Sequence, residues 1–167
     1  MLQMKKIEKK PPLFRKLDDD FWLAGCLEEA DFKRAASQGI ATIINILPED
    51  DELCELSDQD AKAIAEREGM AYRHMPIYGH QLNNEFFARA FGYLIAETKG
   101  PKIIYCRSGM RSAFLWGMIH AADLGVEEVL DRTLDIGFDL MVIEDELHKM
   151  SKKPSPLADF NQTTKVA

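Results

Sequence analysis

Cys106, Gly109, Arg111 and Ser112 fall within seven consecutive residues, Cys106-Arg107-Ser108-Gly109-Met110-Arg111-Ser112. Together they can bind an anion and attack it with sulfur. Lys102-Ile103-Ile104-Tyr105 before the loop reads as a short strand, and residues 112–123 after it read as an apolar helix. A helix N-terminus carries free backbone N–H groups and a partial positive charge. A tight loop at that point gathers several N–H groups into one anion-binding concavity. A cysteine at its rim is favoured as the thiolate, the nucleophilic form. Gly109 permits a backbone conformation that a side chain would forbid. Arg111 offers a rigid fork of donors to a tetrahedral oxyanion. Ser112 can donate a hydrogen bond to the sulfur or to a leaving group. Ser108 and Met110 complete the loop, and Arg107 is expected on its rim, in a docking role. The competing reading of Cys106 is an inert buried thiol at a strand end. The joint presence of the glycine, the arginine and the serine favours catalysis.

The surrounding elements must place this loop. Further strands are expected at 21–24, 41–47 and 72–77, and further helices at 28–38, 57–68, 126–135 and 138–150. Another helix starts at Asn83 or Asn84 and ends at Gly100-Pro101. The β-branched run at 41–47 lacks strict alternation, as suits a strand covered on both faces. Alternating strands and helices imply an α/β fold: a single domain with a mainly parallel central sheet flanked by helices. The expected boundaries are an N-terminal arm at 1–19, the domain at 20–150 and a loose tail at 151–167.

Length and composition narrow the function. The chain has 167 residues, enough for one buried core. Its net charge of −7 argues against nucleic acid as the main partner, since phosphate contacts need clustered Lys and Arg. One pocket can still be positive, so a small anionic substrate or a phosphorylated molecule is the expected ligand. No apolar run approaches the roughly 20 residues of a membrane span, so no membrane partner is expected. The basic start leads into Pro11-Pro12 with no apolar stretch, which gives no secretory signal. Three widely spaced cysteines do not look like a disulfide framework, so a reducing cytoplasm is the expected compartment. His74, His80, His120 and His148 show no ligand spacing, so neither a metal nor another cofactor is expected. Nothing in the sequence argues for or against an oligomer.

The stretch from Phe21 to Met150 resembles the phosphatase-like family of the β-lactamase-hydrolase-like type, bacterial relatives of the dual-specificity phosphatases. The resemblance rests on Phe21-Trp22-Leu23-Ala24-Gly25, on Gly39-Ile40-Ala41-Thr42-Ile43-Ile44-Asn45 and on Met75-Pro76-Ile77. Its most specific part is Tyr105 to Ser112 with Leu115-Trp116-Gly117. It implies a protein-tyrosine-phosphatase fold, with Cys106 as nucleophile and Arg111 as oxyanion clamp. Three departures stand out. Four residues separate Cys106 from Arg111, one fewer than in tyrosine phosphatases and like the loop of rhodanese sulfurtransferases. The stretch from Pro76 to Asn84, where such phosphatases carry an acidic residue, has no Asp or Glu. His80 is the titratable group in its place, with Glu85 just beyond, and a plain surface histidine is the other reading of His80. Finally, Cys26-Leu27 and Leu47-Pro48 stand where the family often has Gln-Pro and Arg-Pro.

Three functions follow. The first is phosphate monoester hydrolysis through a phosphocysteine on Cys106. The second is rhodanese-like sulfur transfer through a persulfide on Cys106. The third is a non-catalytic anion-binding module. Among the remaining residues, Cys26 is expected as an ordinary buried cysteine, with a resolving disulfide to Cys106 as the alternative. Cys54 is expected to have no role. The run Glu49-Asp50-Asp51-Glu52 reads as a solvated loop, or else as an arm over the pocket. His120 is expected as a satisfied core or boundary residue, and Trp116, Phe86, Phe87 and Phe91 in the core.

Overall fold

All four residues of Thr42–Asn45 and all four of Lys102–Tyr105 are buried, as strands covered on both faces must be. In the computed structural model, which describes residues 14–51 and 54–158, these are β3 and β5 of a five-stranded sheet. The other strands are β1 (Arg15–Lys16), β2 (Phe21–Ala24) and β4 (Ala71–His74), and the order is β1-β2-β5-β3-β4. Every neighbouring pair except β1–β2 is parallel. The register pairs Ala24 with Tyr105, Tyr105 with Asn45, and Asn45 with His74. The four parallel strands therefore end in one row, and the chain leaves all of them at one edge of the sheet.

The helices are α1 (Glu29–Ser37), α2 (Asp58–Arg67), α3 (Glu85–Glu97), α4 (Met110–Leu124), α5 (Val126–Asp135) and α6 (Glu144–Ser151). Right-handed crossovers from β2 through α1 to β3, and through α2 to β4, put α1 and α2 on one face; the return from β4 to the central β5 puts α3 on the other. Accordingly α1 packs on α2, while α4 packs against α3, α5 and α6. Local signals start these helices. Ser57 accepts from the Asp60 N–H at 3.1 Å, and Asn84 from the Phe86 N–H at 2.8 Å, capping α2 and α3. Trp116, Leu115, Met118 and Ile119 of α4 form the centre of the core. His120 stacks on Trp116 at 4.5 Å and meets Phe21 edge-on at 5.1 Å.

Several expectations need correction. Arg15–Lys16 lies inside the expected arm yet pairs antiparallel with β2. The rest of the arm, residues 1–13, lies outside the described residues, as does the tail beyond 158. The described start of the tail is docked, not loose: Ser155 donates to the Asp123 carboxylate at 2.7 Å, and Pro156 packs so close to Gly92 that a Cβ there would sit 2.5 Å from it. The expected helix at 138–150 is broken. Phe138 and Leu140 are buried in a loop, a single 3₁₀ turn spans Met141–Ile143, and α6 follows. Phe91 and Trp116 are core residues, but Phe86 is 71% exposed because it lies in the first turn of α3 on its outer face. Finally, Cys26 and Cys54 form a disulfide, with Cα atoms 5.4 Å apart. Their spacing in the chain gave no sign of it, because the sheet brings two strand-end loops together.

Candidate functional site

The row of strand ends defines the site. In parallel α/β sheets ligands bind beyond the carboxyl ends of the strands, near the point where strand order reverses. Here that point is β5, reached last and inserted between β2 and β3. Cys106 follows β5 directly, and its N–H donates to the Ala24 carbonyl at 3.2 Å. The loop then turns sharply into α4 through Gly109, whose φ of +93° lies in the left-handed region that favours glycine. A Cβ on Gly109 would also sit 2.7 Å from the Phe138 ring. The expectation that this glycine permits a conformation closed to other residues therefore holds twice over. Gly25 lets the β2 loop reach the same place: a Cβ there would stand 2.9 Å from the Arg107 carbonyl, which accepts the Cys26 N–H at 3.3 Å.

The sulfur of Cys106 accepts the Gly109 N–H at 3.1 Å. The thiol is fully buried beneath the loop, not at its rim. Ser112 is likewise fully buried, and its hydroxyl has no hydrogen-bond partner among the described residues. Ser108 accepts the Met110 N–H at 3.3 Å, which tightens the turn into α4.

Above the loop lies an open cavity of about 500 Å³, lined by Pro48, Asp50, Asp51, Tyr78, Gly79, Arg107 and Arg111. Arg107 is exposed at its rim, as expected. His80 does not line it. His80 is exposed and stacks on Tyr78 at 5.9 Å, and Tyr78 does line the cavity. Glu85 is committed elsewhere: Lys153 and Arg89 pair with it, and Lys153 first of all holds its carboxyl below the usual range.

Of the acidic run, Glu52 lies outside the described residues; Glu49 and Asp50 are exposed, as a solvated loop requires, while Asp50 and Asp51 line the pocket, as an arm over it would. Asp51 is only 11% exposed and pairs with the Arg111 guanidinium at 3.2 Å. Arg111 also donates to the Ile77 carbonyl at 3.2 Å. Asp50 accepts from the Tyr78 hydroxyl at 3.4 Å, and the Asp50 charge raises the pKa of that hydroxyl. The base of the arm is fixed by side chains of β3 and β4. Asn45 accepts the Leu47 N–H at 2.8 Å and donates to the Tyr72 hydroxyl at 2.9 Å. Tyr72 in turn donates to Asp58 at 2.7 Å, and the His74 ring bridges the Leu47 carbonyl and Asp58. Burial raises the Tyr72 pKa well above the ordinary phenol value.

Asp51 affects Arg111 in two opposed ways. It orders a long side chain, worth up to ~2 kcal/mol of rotamer entropy. It also repels any other anion brought to Arg111, by roughly 4 kcal/mol for unit charges 4 Å apart at an effective dielectric of about 20. Repulsion is the larger effect, so Asp51 occupies Arg111 much as an anionic ligand would. No metal-binding group of three or more His, Cys, Asp or Glu occurs among the described residues. No described helix is long and apolar enough to cross a membrane.

The fold and site together define an α/β phosphatase-like domain of the protein-tyrosine-phosphatase architecture. Residues 13–123 match the family described as "Beta-lactamase hydrolase-like protein, phosphatase-like domain", and the chain belongs to it. A beta-lactamase hydrolase-like protein of Agrobacterium fabrum is 29% identical over 138 residues, which are 81% of this chain and 32% of that protein. The chain thus spans about a third of that relative's length. A solved Neisseria meningitidis protein, described as a candidate phosphatase, superposes with a TM-score of 0.73 at 28% identity, covering 82% of this chain and 97% of that one. Pseudomonas aeruginosa TpbA, solved in complex with phosphotyrosine, shares the fold with a TM-score of 0.55 at 11% identity, covering 90% of this chain and 88% of that one.

Proposed function

We propose that the protein hydrolyses phosphate monoesters with Cys106 as nucleophile. The observation that carries this reading is the placement of the Cys106 sulfur under a loop amide at the N-terminus of α4, with Arg111 on the first turn of the same helix. The Cys106 thiolate attacks phosphorus, the S–P bond forms and the ester P–O bond breaks. Loop amides and Arg111 hold the equatorial oxygens. The departing oxygen takes up a proton. Water then attacks the phosphocysteine, releasing phosphate and the thiolate, with the Ser112 hydroxyl donating to the sulfur as it leaves. His80 is one proton source, brought in from beside Tyr78; Asp50 is another and already lines the cavity. General acid catalysis contributes typically 10²–10⁴-fold, so aryl phosphates, whose leaving groups need little protonation, are the better substrates.

A small anionic or phosphorylated molecule is the proposed ligand, not nucleic acid or a membrane surface, in keeping with the net charge of −7. The cytoplasm stays the proposed compartment, although the Cys26–Cys54 bond removes the cysteine-spacing ground for it; a disulfide there is transient or redox-sensing. Loop length favours a second reading. With four residues between Cys106 and Arg111, the ring has one amide fewer than a tyrosine-phosphatase loop, which suits a sulfane sulfur carried as a persulfide on Cys106.

Turnover of an aryl phosphate separates the two. The wild type is expected to release phosphate, and Cys106→Ser and Arg111→Ala are expected to lose at least roughly 10²-fold in kcat. A wild type without turnover even after the Cys26–Cys54 pair is reduced sinks the phosphatase reading. A mass gain of one sulfur on Cys106 after exposure to thiosulfate then establishes the other.

A further inference from the structure

We propose that the Cys26–Cys54 disulfide is a redox tether that keeps Asp51 on Arg111, so that the oxidised protein holds its own anion site occupied and reduction frees it. The inference rests on reading the 106–111 loop as an anion site.

Three contacts carry it. Asp51 takes one N–H of the Arg111 guanidinium, on the wall of the cavity. Cys54 follows Asp51 by three residues and is covalently joined to Cys26. Cys26 in turn sits in the loop after β2, which is held against the cysteine loop by its N–H bond to the Arg107 carbonyl and by the close approach of Gly25. The disulfide therefore links the acidic arm to the same backbone that shapes the site. Loss of the link removes a covalent restraint three residues from Asp51. The segment so freed is the short arm between β3 and α2, since α1 and β3 fill most of the 28 residues between the cysteines. Both cysteines are partly exposed, so a thiol can reach them, whereas Cys106 is buried and free.

The chemistry balances with a dithiol as reductant. Its thiolate attacks one sulfur of the pair, the mixed disulfide resolves, and two electrons and two protons pass to Cys26 and Cys54 as the dithiol becomes a cyclic disulfide. Cys106 takes no part.

The test is the rate of alkylation at Cys106, read by mass on its peptide, with anionic iodoacetate and neutral iodoacetamide. Their ratio reports how well the site accepts an anion and needs no turnover, so a protein inactive on aryl phosphates still answers it. On reduction of the Cys26–Cys54 pair the ratio is expected to rise roughly tenfold, as a like charge leaves Arg111. Asp51→Asn is expected to show the raised ratio while still oxidised and to gain nothing on reduction. Cys54→Ser is expected to behave as the reduced protein does. Three results overturn the proposal: an unchanged ratio on reduction, an Asp51→Asn protein that responds to reduction as the wild type does, or a Cys106 that resists both reagents in both redox states. Should Cys54→Ser fail to fold, the reduced wild type and Asp51→Asn decide the matter.

Discussion

Gly109 and His120 show how much single residues decide here. Gly109 sits at φ +93° under the Phe138 ring, so Gly109→Ala must strain the backbone and displace an aromatic at once. A left-handed non-glycine costs about 1–2 kcal/mol and overpacking about 1–3, so the variant is expected to lose roughly 2–5 kcal/mol by urea unfolding. His120 donates from Nδ1 to the Trp116 carbonyl at 2.8 Å, and burial pushes its pKa below 6.5. The unfolded chain then binds a proton that the folded protein refuses. Stability is expected to be full above pH 6.5 and to fall as the pH drops from there through the lower folded value. A urea midpoint that falls between pH 7.5 and 5 in the wild type, but less so in His120→Gln, meets this expectation; equal falls in both contradict it. Both residues were legible in the sequence because local facts sufficed: a glycine between strand and helix, and a histidine inside an apolar run.

At the scale of elements, the site depends on loops that leave one edge of the sheet. The arm after β3 is anchored at its base by Asn45, Tyr72, Asp58 and His74, and farther out by the disulfide. Closing a loop of 28 residues stabilises a fold by about 3–4 kcal/mol in the chain-entropy account. Reduction is therefore expected to lower the urea midpoint, and Cys26→Ser should lower it equally and abolish the response to reductant. A midpoint indifferent to reductant would show that the pair adds nothing to stability. The sequence carried the acidic run and both cysteines in plain view, but not their roles. Residues 26, 51 and 111 are distant in the chain, and only the register of β2, β5 and β3 brings them together. The place of His80 was hidden for the same reason. It occupies the stretch where an acid is expected, yet the 3₁₀ turn at Gly79–Gln81 directs Tyr78 and Gly79, not His80, to the cavity wall.

For the whole molecule, a net charge of −7 surrounds a cavity whose lining holds two arginines and two aspartates. The field outside repels the dianionic phosphate monoester proposed as substrate. Raising ionic strength from about 0.01 to 0.15 M shortens the screening length from about 30 to 8 Å. kcat/KM for a small aryl phosphate is expected to rise over this range, and a phosphopeptide flanked by basic residues should outperform one flanked by acidic ones. A steep fall with salt would show instead that Arg107 and Arg111 dominate the approach.

The sequence alone determined the fold class, the four parallel strands with most of the helices, and the cysteine loop, because each rests on neighbours in the chain: apolar runs of set length, capping residues, and a cysteine, a glycine and an arginine within six positions. Tertiary structure alone decided what faces that loop. The Asp51–Arg111 pair, the Cys26–Cys54 bond, the Tyr78–Asp50 wall and the docking of Ser155 and Pro156 all join residues distant in the chain. Such contacts follow from sheet register and crossover handedness, which no local pattern of residue types encodes.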